Sequence, residues 1–407
     1  WSGAGSTRGS TGSRWNMHGP SRQKRVVVFG IMGQMPFAGM AWQVLQYLEG
    51  FRRLGWCVHY VEDTGQWPYD PERQTVTDDP AGEVAYIQRM MEWVGLPEQW
   101  AYRSGVDGRI FGLTDSGLSA VLAAADVLLN VCGATVLREE HLAIPCRIYL
   151  ETDPVLPEIQ AARGVPFTMN MLSAHTHHFT YGENLGEPDC GIPASPFHYQ
   201  VTRPPVVTDW WDAEPPSDTG APFSTVAHWK QTDKDVEWNG ELYKWSKDVE
   251  FRKFLELPRR CPEPFELALT GIDGEGRDEL ESLGWRTADA LRVSGHIETY
   301  RDYVRAARGE FTVAKDQYVR MRSGWFSDRS VCYLAAGRPV ITQETGFSKF
   351  VPTGRGLFGF ETLDEILDAV DRIAGDYDAH SEAAREIAAD CFEAEKVIGK
   401  LLEEAGL

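Results

Sequence analysis

A helix start surrounded by basic side chains is the feature of this sequence that points most directly to chemistry, and it lies between Ser323 and Phe347. Ser327 can act as an N-cap, so the amides of the three residues after it point out of the helix. Those residues are Asp328, Arg329 and Ser330, and the nearby basic residues are Lys315, Arg320 and Arg322. Free helix amides bind anions, and guanidinium groups bind phosphate. The stretch predicts a site for a phosphorylated ligand; the alternative is a surface turn with solvated charges.

The composition indicates an acidic, globular chain. Its 407 residues are too many for one compact core, and 43% hydrophobic residues are typical of a folded protein. The net charge of -20 argues against a nucleic-acid partner but is compatible with a local basic pocket. Seven scattered cysteines predict reduced thiols in a cytoplasmic protein. No apolar run is long enough to predict a membrane span.

The first half contains a βαβ pattern. The strand KRVVVFG precedes a helical stretch from Met40 to Leu54, which Gly55 ends, and the strand CVHYVED follows. DVLLNVCG and PCRIYLETDP resemble further buried strands, whereas residues 173–186 (SAHTHHFTYGENLG) resemble a loop. This order is the building block of a doubly wound sheet.

The second half repeats the alternation of strands and helices. FSTVAHWK, PFELALTG, EFTVAK and PVITQ are predicted strands, and residues 249–257 are a predicted helix between the first two. Thr362 and Glu365 form a capping box that starts another helix. The last helical pattern, residues 379–402, is long and amphipathic.

These patterns predict an α/β protein of two Rossmann-like, doubly wound domains that face a cleft. We expect residues 1–23 to be a disordered extension or a scar of upstream sequence, 24–205 and 223–378 to be the two domains, 206–222 to be a linker, and 379–407 to be a C-terminal helix. Ligands in open α/β sheets bind at the carboxyl ends of the strands, so the cleft is the predicted site.

The second half resembles the nucleotide-binding domain of GT-B glycosyltransferases, in particular the retaining class with many bacterial sugar transferases. The resemblance covers Glu298 to Asp376 and rests on the helix start at Ser327, the Ala-Ala-Gly-Arg-Pro turn and the Thr-Gly-Phe loop. It implies that this helix start holds the donor diphosphate. The first half is more loosely similar to the acceptor domain, through PFAGMAWQ and IPCRIYLETDP.

The sequence also departs from that class. Two glutamates, eight positions apart, usually contact the donor sugar and the ribose; here these positions are Gly324 and Cys332. The His-Gly-Gly motif of inverting relatives is absent. The resemblance therefore implies an atypical member of the fold, and Cys332 favours a deoxynucleotide donor such as a dTDP-sugar.

The resemblance gives roles to individual residues. Donor diphosphate contacts are predicted for Lys230, Arg322, Ser327, Asp328, Arg329 and Ser330. His177 and Asp153 are the candidate catalytic residues, and Gly39, Glu151 and His175 the candidates for acceptor or sugar contacts. The alternatives are purely structural roles: a solvated lysine at Lys230, a polar histidine loop, a turn capped by Asp153 and a tight turn at Gly39.

The function implied is a metal-independent glycosyltransferase of the hexosyltransferase type, with no cofactor beyond a UDP- or dTDP-sugar. The tryptophans of the first half favour an apolar or aromatic small-molecule acceptor, such as a natural product; they are Trp42, Trp67, Trp93 and Trp100. The rivals are a nucleotide-sugar epimerase and a non-catalytic protein that senses a nucleotide sugar.

Overall fold

The structure, a computed structural model, describes residues 22–407 except residues 72, 74, 217 and 219. Most of the predicted N-terminal extension, residues 1–21, therefore lies outside the described residues. Of its last two residues, Arg22 donates to the carbonyl of Ala124 and Gln23 to that of Gly55. No helix within the described part of the chain has the length and apolarity to span a bilayer.

The first lobe is built on an eight-stranded sheet. In chain order its strands and one small hairpin are β1 (Arg25–Phe29), β2 (Cys57–Glu62), the hairpin β3 (Tyr69–Asp70) and β4 (Thr75–Val76), β5 (Trp100–Arg103), β6 (Ile110–Gly112), β7 (Val127–Val131), β8 (Cys146–Glu151), β9 (His177–Thr180) and β10 (Tyr199–Val201). The sheet order is β10-β9-β8-β7-β1-β2-β5-β6, and only the β5–β6 pair is antiparallel. Its central strands are buried on both faces, as parallel strands between helices must be.

Within the described residues, six helices lie between β1 and β10: α1 (Ala38–Arg53), α2 (Ala81–Trp93), α3 (Asp115–Ala123), α4 (Glu139–Leu142), α5 (Leu156–Ala162) and α6 (Pro166–Ser173). As predicted, α1 is stopped at Gly55, which has a φ of 81° that glycine adopts at little cost. The loop before α1 is held by the Glu62 carboxylate, which accepts the amides of Gly33 (2.8 Å) and Gln34 (2.6 Å).

The second lobe carries a six-stranded sheet, ordered β15-β14-β11-β16-β17-β18, and a separate hairpin of β12 and β13. Its strands are β11 (Phe223–His228), β12 (Val236–Trp238), β13 (Glu241–Tyr243), β14 (Phe265–Thr270), β15 (Arg286–Asp289), β16 (Gly309–Thr312), β17 (Val340–Gln343) and β18 (Leu357–Phe360). All pairs in the six-stranded sheet are parallel. The predicted fold class, two doubly wound α/β units, is therefore confirmed.

The remaining helices are α7 (Asp248–Phe251), α8 (Leu257–Arg260), α9 (Gly274–Ser282), α10 (Ala290–Ser294), α11 (Ile297–Ala306), α12 (Asp316–Arg320), α13 (Asp328–Ala335), α14 (Leu363–Gly375), α15 (Tyr377–Ile387) and α16 (Ala394–Glu404). The capping box of Thr362 and Glu365 starts α14 as predicted. The predicted linker, residues 206–222, runs between β10 and β11, and it contains a short 3-10 helix at Thr208–Trp210 and the buried Trp211.

Three predicted elements are wrong in detail. The helix at residues 249–257 is α7, a 3-10 turn and α8 in succession. The loop at 173–186 contains β9, because its four central residues pair with β8. The single C-terminal helix breaks into α15 and α16, because a π-helical segment at Ala388–Phe392 and an extended Glu393 interrupt it.

The C-terminal helix α16 returns to the first lobe. It packs on α1, where a side chain on Gly50 would collide with Ile398 and press on Ala394. Two chain segments thus cross between the lobes side by side: Val206 donates its amide to the carbonyl of Phe392 (2.8 Å) and accepts the amide of Ala394 (2.9 Å).

Candidate functional site

A cavity of about 310 Å³ lies between the lobes, where the carboxyl ends of both sheets meet. Its walls come from the start of α1, the turns after β7 and β8, the end of β11 and the start of α13. The lining residues are Met40, Gln43, Cys132, Thr152, Asp153, Tyr181, Val226, Ala227, His228, Gln231, Lys247, Lys315, Trp325, Ser327, Asp328 and Arg329. The predicted position of the site, in the interlobe cleft beside residue 328, agrees with this geometry.

The start of α13 forms one wall of this interlobe cavity. Ser327 has the extended backbone of an N-cap residue, but its hydroxyl makes no capping bond. The Asp328 carboxylate instead accepts the amide of Arg329 at 2.9 Å, so one helix amide already has an anionic partner. Burial raises the pKa of Asp328, although the charge of Arg329 opposes that rise. Ser327 and Asp328 thus lie at the helix start as predicted, but the Arg329 amide is already bound by the Asp328 carboxylate.

Arg329 is anchored to the second lobe. Its Nε donates to Glu310 Oε1 (2.6 Å), its Nη1 to the carbonyl of Val226 (3.0 Å) and its Nη2 to Thr312 (3.0 Å). Burial alone would lower the pKa of Arg329, but the Glu310 carboxylate raises it above its ordinary value. The guanidinium therefore lines the cavity as a fixed, permanently charged group.

Lys247 supplies a second cation in the wall of the cavity. The residue is only 6% exposed, and its ammonium has no hydrogen-bond partner. Burial lowers the pKa of Lys247 well below its ordinary value, and the nearby Arg329 and Lys315 lower it further. An unpaired buried ammonium is costly, and a bound anion would remove that cost.

Asp153 lines the cavity from the first lobe. Its Oδ1 accepts Lys315 Nζ at 3.0 Å and the hydroxyl of Tyr318, both from the second lobe. Glu151, predicted to contact the acceptor or the sugar, does not line the cavity. It is buried at the end of β8, where it accepts the amide of Asp153 and the hydroxyl of Tyr149, both at 2.9 Å. Glu151 therefore shapes the turn that carries Asp153.

The histidine predictions are corrected by the structure. His177 opens β9 opposite Ile148, whereas Thr180 is the residue level with the end of β8. At 3.3 Å per residue, His177 lies about 10 Å from the carboxyl edge that faces the cleft. His175 is buried, with Nδ1 against the carbonyl of Met171 (2.8 Å), and burial lowers its pKa to about 4. Neither histidine lines the cavity.

Three predicted diphosphate ligands are not brought to the cavity. Arg322 instead forms ion pairs with Asp189 (3.0 Å) and Glu361 (3.4 Å). Lys230 is exposed two residues beyond the end of β11 and does not line the cavity. Ser330 is buried in α13 behind the cavity wall, and its hydroxyl has no partner.

Gly39 lies in the first turn of α1, and no atom lies within 4 Å of the Cβ that a larger residue would place there. It borders a gap of only about 20 Å³ that Tyr300, Asp328 and Cys332 also line. The Cys332 thiol is 2% exposed and faces the Gln46 amide at 3.9 Å. The first lobe therefore covers the position where the resemblance implies a ribose contact.

A second, larger cavity of about 720 Å³ lies on the other side of the α1 start. The first lobe contributes the rings of Phe37, Tyr69 and Tyr86, and the second contributes residues 291–296 in part. The tryptophans that suggested an aromatic acceptor do not line it. Trp42 and Trp93 pack against each other and against Trp210 in the core, whereas Trp67 is half exposed.

Among the described residues, one group has side chains that could reach a common metal ion: Asp63, Glu140 and His141. The Asp63 carboxylate and His141 Nδ1 are already engaged, whereas His141 Nε2 has no hydrogen-bond partner. Arg138 donates twice to Asp63 (2.8 Å each), and Arg103 pairs with the same carboxylate. His141 Nδ1 accepts the amide of Arg138 (3.1 Å), which places its proton on Nε2. The group is a structural ion-pair cluster, and metal independence stays a prediction.

Sequence reasoning missed Lys247 altogether. Nothing local separates this lysine from its neighbours Lys244 and Lys253, because the hairpin β12–β13 and the short helix α7 bring it to the cleft. Lys315 was noted only as a basic neighbour of the helix start. Its role beside Asp153 depends on a contact across 162 residues of chain, which no local pattern contains.

No family model and no curated protein matches this chain. Solved structures do resemble it. HepE from Anabaena in complex with UDP has 12% sequence identity and a TM-score of 0.54, over 94% of this chain and 100% of that one. An α-glucosyltransferase, solved with UDP and a 13-mer DNA containing a HMU base, has 9% identity and a TM-score of 0.57, over 95% of this chain and 100% of that one.

The fold is GT-B. The similarity extends over both lobes, since more than nine tenths of this chain is covered in each comparison. At such low identity it establishes the architecture alone. In this GT-B chain the interlobe cavity therefore lies in the cleft between the two Rossmann-like domains, as predicted.

Proposed function

We propose that this protein is a glycosyltransferase that uses a nucleotide diphosphate sugar, UDP- or dTDP-linked, as donor. The observation that carries the proposal is the buried, unpartnered ammonium of Lys247 in the interlobe cavity, with the fixed guanidinium of Arg329 beside it. Two cations near a helix start can stabilise the charge that develops on a departing diphosphate. The UDP present in solved HepE and α-glucosyltransferase structures supports the same ligand class.

The transfer step needs little else from the protein. An acceptor hydroxyl oxygen forms a bond to the anomeric carbon of the donor, while the bond from that carbon to the diphosphate oxygen breaks and its electron pair leaves with the diphosphate. The acceptor proton goes to a base. Burial opposes ionisation of Asp153, but Lys315 and Lys234 hold its pKa below the ordinary value, so this carboxylate in the cavity wall is charged at neutral pH. We assign it to proton acceptance or to a sugar hydroxyl contact.

Isothermal titration calorimetry with UDP, dTDP and inorganic diphosphate tests the donor proposal. We expect both nucleotides to bind more tightly than diphosphate, and dTDP to bind more tightly than UDP if Cys332 selects a deoxyribose. Tighter UDP binding would reject that selection alone. No binding of either nucleotide would reject the donor site. Incubation with a UDP-sugar and a dTDP-sugar alone then separates slow hydrolysis by a transferase from epimerisation and from no reaction.

We further propose that the acceptor is a small ring compound with hydroxyl groups and that it binds in the 720 Å³ cavity. Phe37 and Tyr69, with ring centroids 6.1 Å apart, provide an apolar wall, and Glu83 and Tyr86 add buried oxygens without hydrogen-bond partners. The chain's net charge of -20 disfavours a nucleic-acid acceptor.

A panel of aromatic glycosides and simple saccharides, assayed with the donor that calorimetry identifies, tests the acceptor proposal. Tyr69→Ala removes part of the wall, so we expect it to raise the acceptor KM while the affinity for UDP stays the same. A loss of UDP affinity in this variant would instead assign the cavity to the nucleotide. Turnover with saccharides only would reject an aromatic acceptor.

A further inference from the structure

Asp153 belongs to the first lobe, but its side chain is held by the second. It stands two residues beyond the end of β8, and its Oδ1 accepts Lys315 Nζ (3.0 Å) and the Tyr318 hydroxyl. Lys315 and Tyr318 lie at the start of α12. The other carboxylate oxygen, Oδ2, has no hydrogen bond to any described residue. One oxygen is therefore anchored across the cleft, and the other remains available to a ligand.

The two anchoring groups are themselves fixed in place. Lys315 Nζ lies 2.9 Å from the centre of the Trp245 ring and 3.3 Å from the Tyr318 hydroxyl. The Tyr318 ring packs on Trp325 at a centroid distance of 4.7 Å. Trp325 Nε1 in turn donates to the carbonyl of Thr152 at 2.9 Å. Packed aromatic side chains of the second lobe thus fix the positions of Thr152 and Asp153, the two residues that follow β8.

The backbone of this turn is strained. Val155 has a φ of 100°, which a β-branched residue rarely adopts, and its amide is held by the Glu158 carboxylate at 2.7 Å. Such a conformation is unfavourable for a β-branched residue and persists only where the surroundings impose it. The strained backbone at Val155 lies two residues from Asp153, which suggests that the conformation of this turn is maintained to place the Asp153 carboxylate in the cavity wall.

We propose that Lys315 and Tyr318 are positioning residues that hold the Asp153 carboxylate in its working geometry from across the cleft between the two lobes. The inference deepens the proposed function and depends on it for the reaction, but the interlobe contact can be tested without any substrate.

The charges around Asp153 fit this role. The titratable groups around it are the cations Lys315, Lys234 and Lys247, the acids Glu151 and Asp328, the thiol of Cys132 and the hydroxyl of Tyr318; Glu158 lies behind them and acts on Glu151 and Tyr318. Burial by itself would raise the pKa of Asp153, but Lys315 and Lys234 hold it below its ordinary value. Burial lowers the pKa of Lys315 to about 8, against the attraction of Asp153. The pair therefore carries its full charge at neutral pH and weakens above pH 8.

Carboxyl carbon NMR of protein labelled with ¹³C-aspartate measures the contact directly, with Asp153→Asn assigning the signal. We expect Lys315→Met to raise the pH at which Asp153 titrates by about one unit or more, since an adjacent cation lowers a carboxyl pKa by 1–3 units. Lys315→Arg should restore most of the wild-type titration. Tyr318→Phe keeps the ring packing and should move the titration in the same direction by less.

Lys234→Met is the matched control, because Lys234 acts on Asp153 by charge without a hydrogen bond. A shift in this variant as large as in Lys315→Met, or an unchanged Asp153 in both Lys315→Met and Tyr318→Phe, would overturn the positioning role. If a UDP-sugar is turned over, the acid limb of its pH profile should move upward with the NMR titration; a fixed limb would also reject the role. If the wild-type protein does not bind UDP, the proposed function is rejected. The NMR titration then still tests whether Lys315 and Tyr318 position Asp153.

Discussion

At the scale of single residues, two of the basic side chains that line the interlobe cavity, Arg329 and Lys247, differ in how their charge is neutralised. Arg329 has an ionic partner in Glu310, so its charge is present at all accessible pH values. Lys247 has no hydrogen-bond partner, so the folded protein bears the cost of its burial until an anion binds. When an anionic ligand binds in the interlobe cavity, we therefore expect its contact with Lys247 to contribute more binding free energy than its contact with Arg329.

We predict that Lys247→Met weakens UDP binding by roughly 1–3 kcal/mol, about 5- to 150-fold, because a charge-assisted contact is lost. The same change should raise the free energy of unfolding of the ligand-free protein, because an unpaired buried ammonium is removed. Calorimetry and urea unfolding measure the two effects. Lys230→Met is the competing variant: the sequence predicts a loss of affinity there, whereas the structure predicts little change. Equal losses in both variants would contradict the assignment of Lys247.

At the scale of elements, the start of α13 is held against the first lobe by the segments on either side of it. The amide of Gly324 donates to the carbonyl of Thr345 (2.7 Å), and Ser323 accepts the amide of Asn184 (3.2 Å) from the first lobe. Gly324 has a φ of 77°, and a Cβ added there would collide with the backbone of Asn184. The glycine that stands where the resemblance implies a glutamate thus permits close contact between the lobes.

We therefore predict that Gly324→Ala lowers the free energy of unfolding by at least about 1–2 kcal/mol, the cost of the left-handed backbone in alanine, with a further cost from the collision. Urea unfolding measures the change, and the affinity for UDP should fall with it because α13 shifts. Gly375→Ala is the control: it is exposed at the end of α14, its Cβ would meet no atom within 4 Å, and it should be neutral or slightly stabilising. A neutral Gly324→Ala would show that the lobes do not meet at this glycine.

At the scale of the whole molecule, the chain crosses between the lobes twice at one place. The segment around Val206 and the interruption between α15 and α16 run side by side and exchange backbone hydrogen bonds. Beyond this crossing α16 packs on α1. Met40 in the first turn of α1 lines the interlobe cavity, and Phe37, just before the helix, lines the larger cavity. The C-terminal helix is consequently part of the first lobe's core, and it supports the helix whose start contributes to the wall of the proposed donor cavity.

We predict that Ile398→Ala destabilises the protein by about 2–5 kcal/mol, because this fully buried side chain fills the contact of α16 with α1 at Gly50. Thermal unfolding followed by near-UV circular dichroism measures the change. Lys400→Ala on the exposed face of the same helix should stay within about 0.5 kcal/mol of wild type. If both variants have the same thermal unfolding transition as the wild type, the contact of α16 with α1 does not stabilise the first lobe.

The sequence by itself determined the features that local physics controls. Buried parallel strands are continuous apolar runs, glycine ends α1, the capping box starts α14, and Ser327 marks the start of α13; each depends on a few adjacent residues. The tertiary structure decided which end of a strand faces the cleft, and this placed Asp153 in the cavity and His177 about 10 Å away from its edge. The tertiary structure also decided that Lys247 lines the cavity and that Asp153 accepts a hydrogen bond from the opposite lobe. Contacts between residues as distant as Asp153 and Lys315 depend on how two sheets are packed, and no local pattern records that packing.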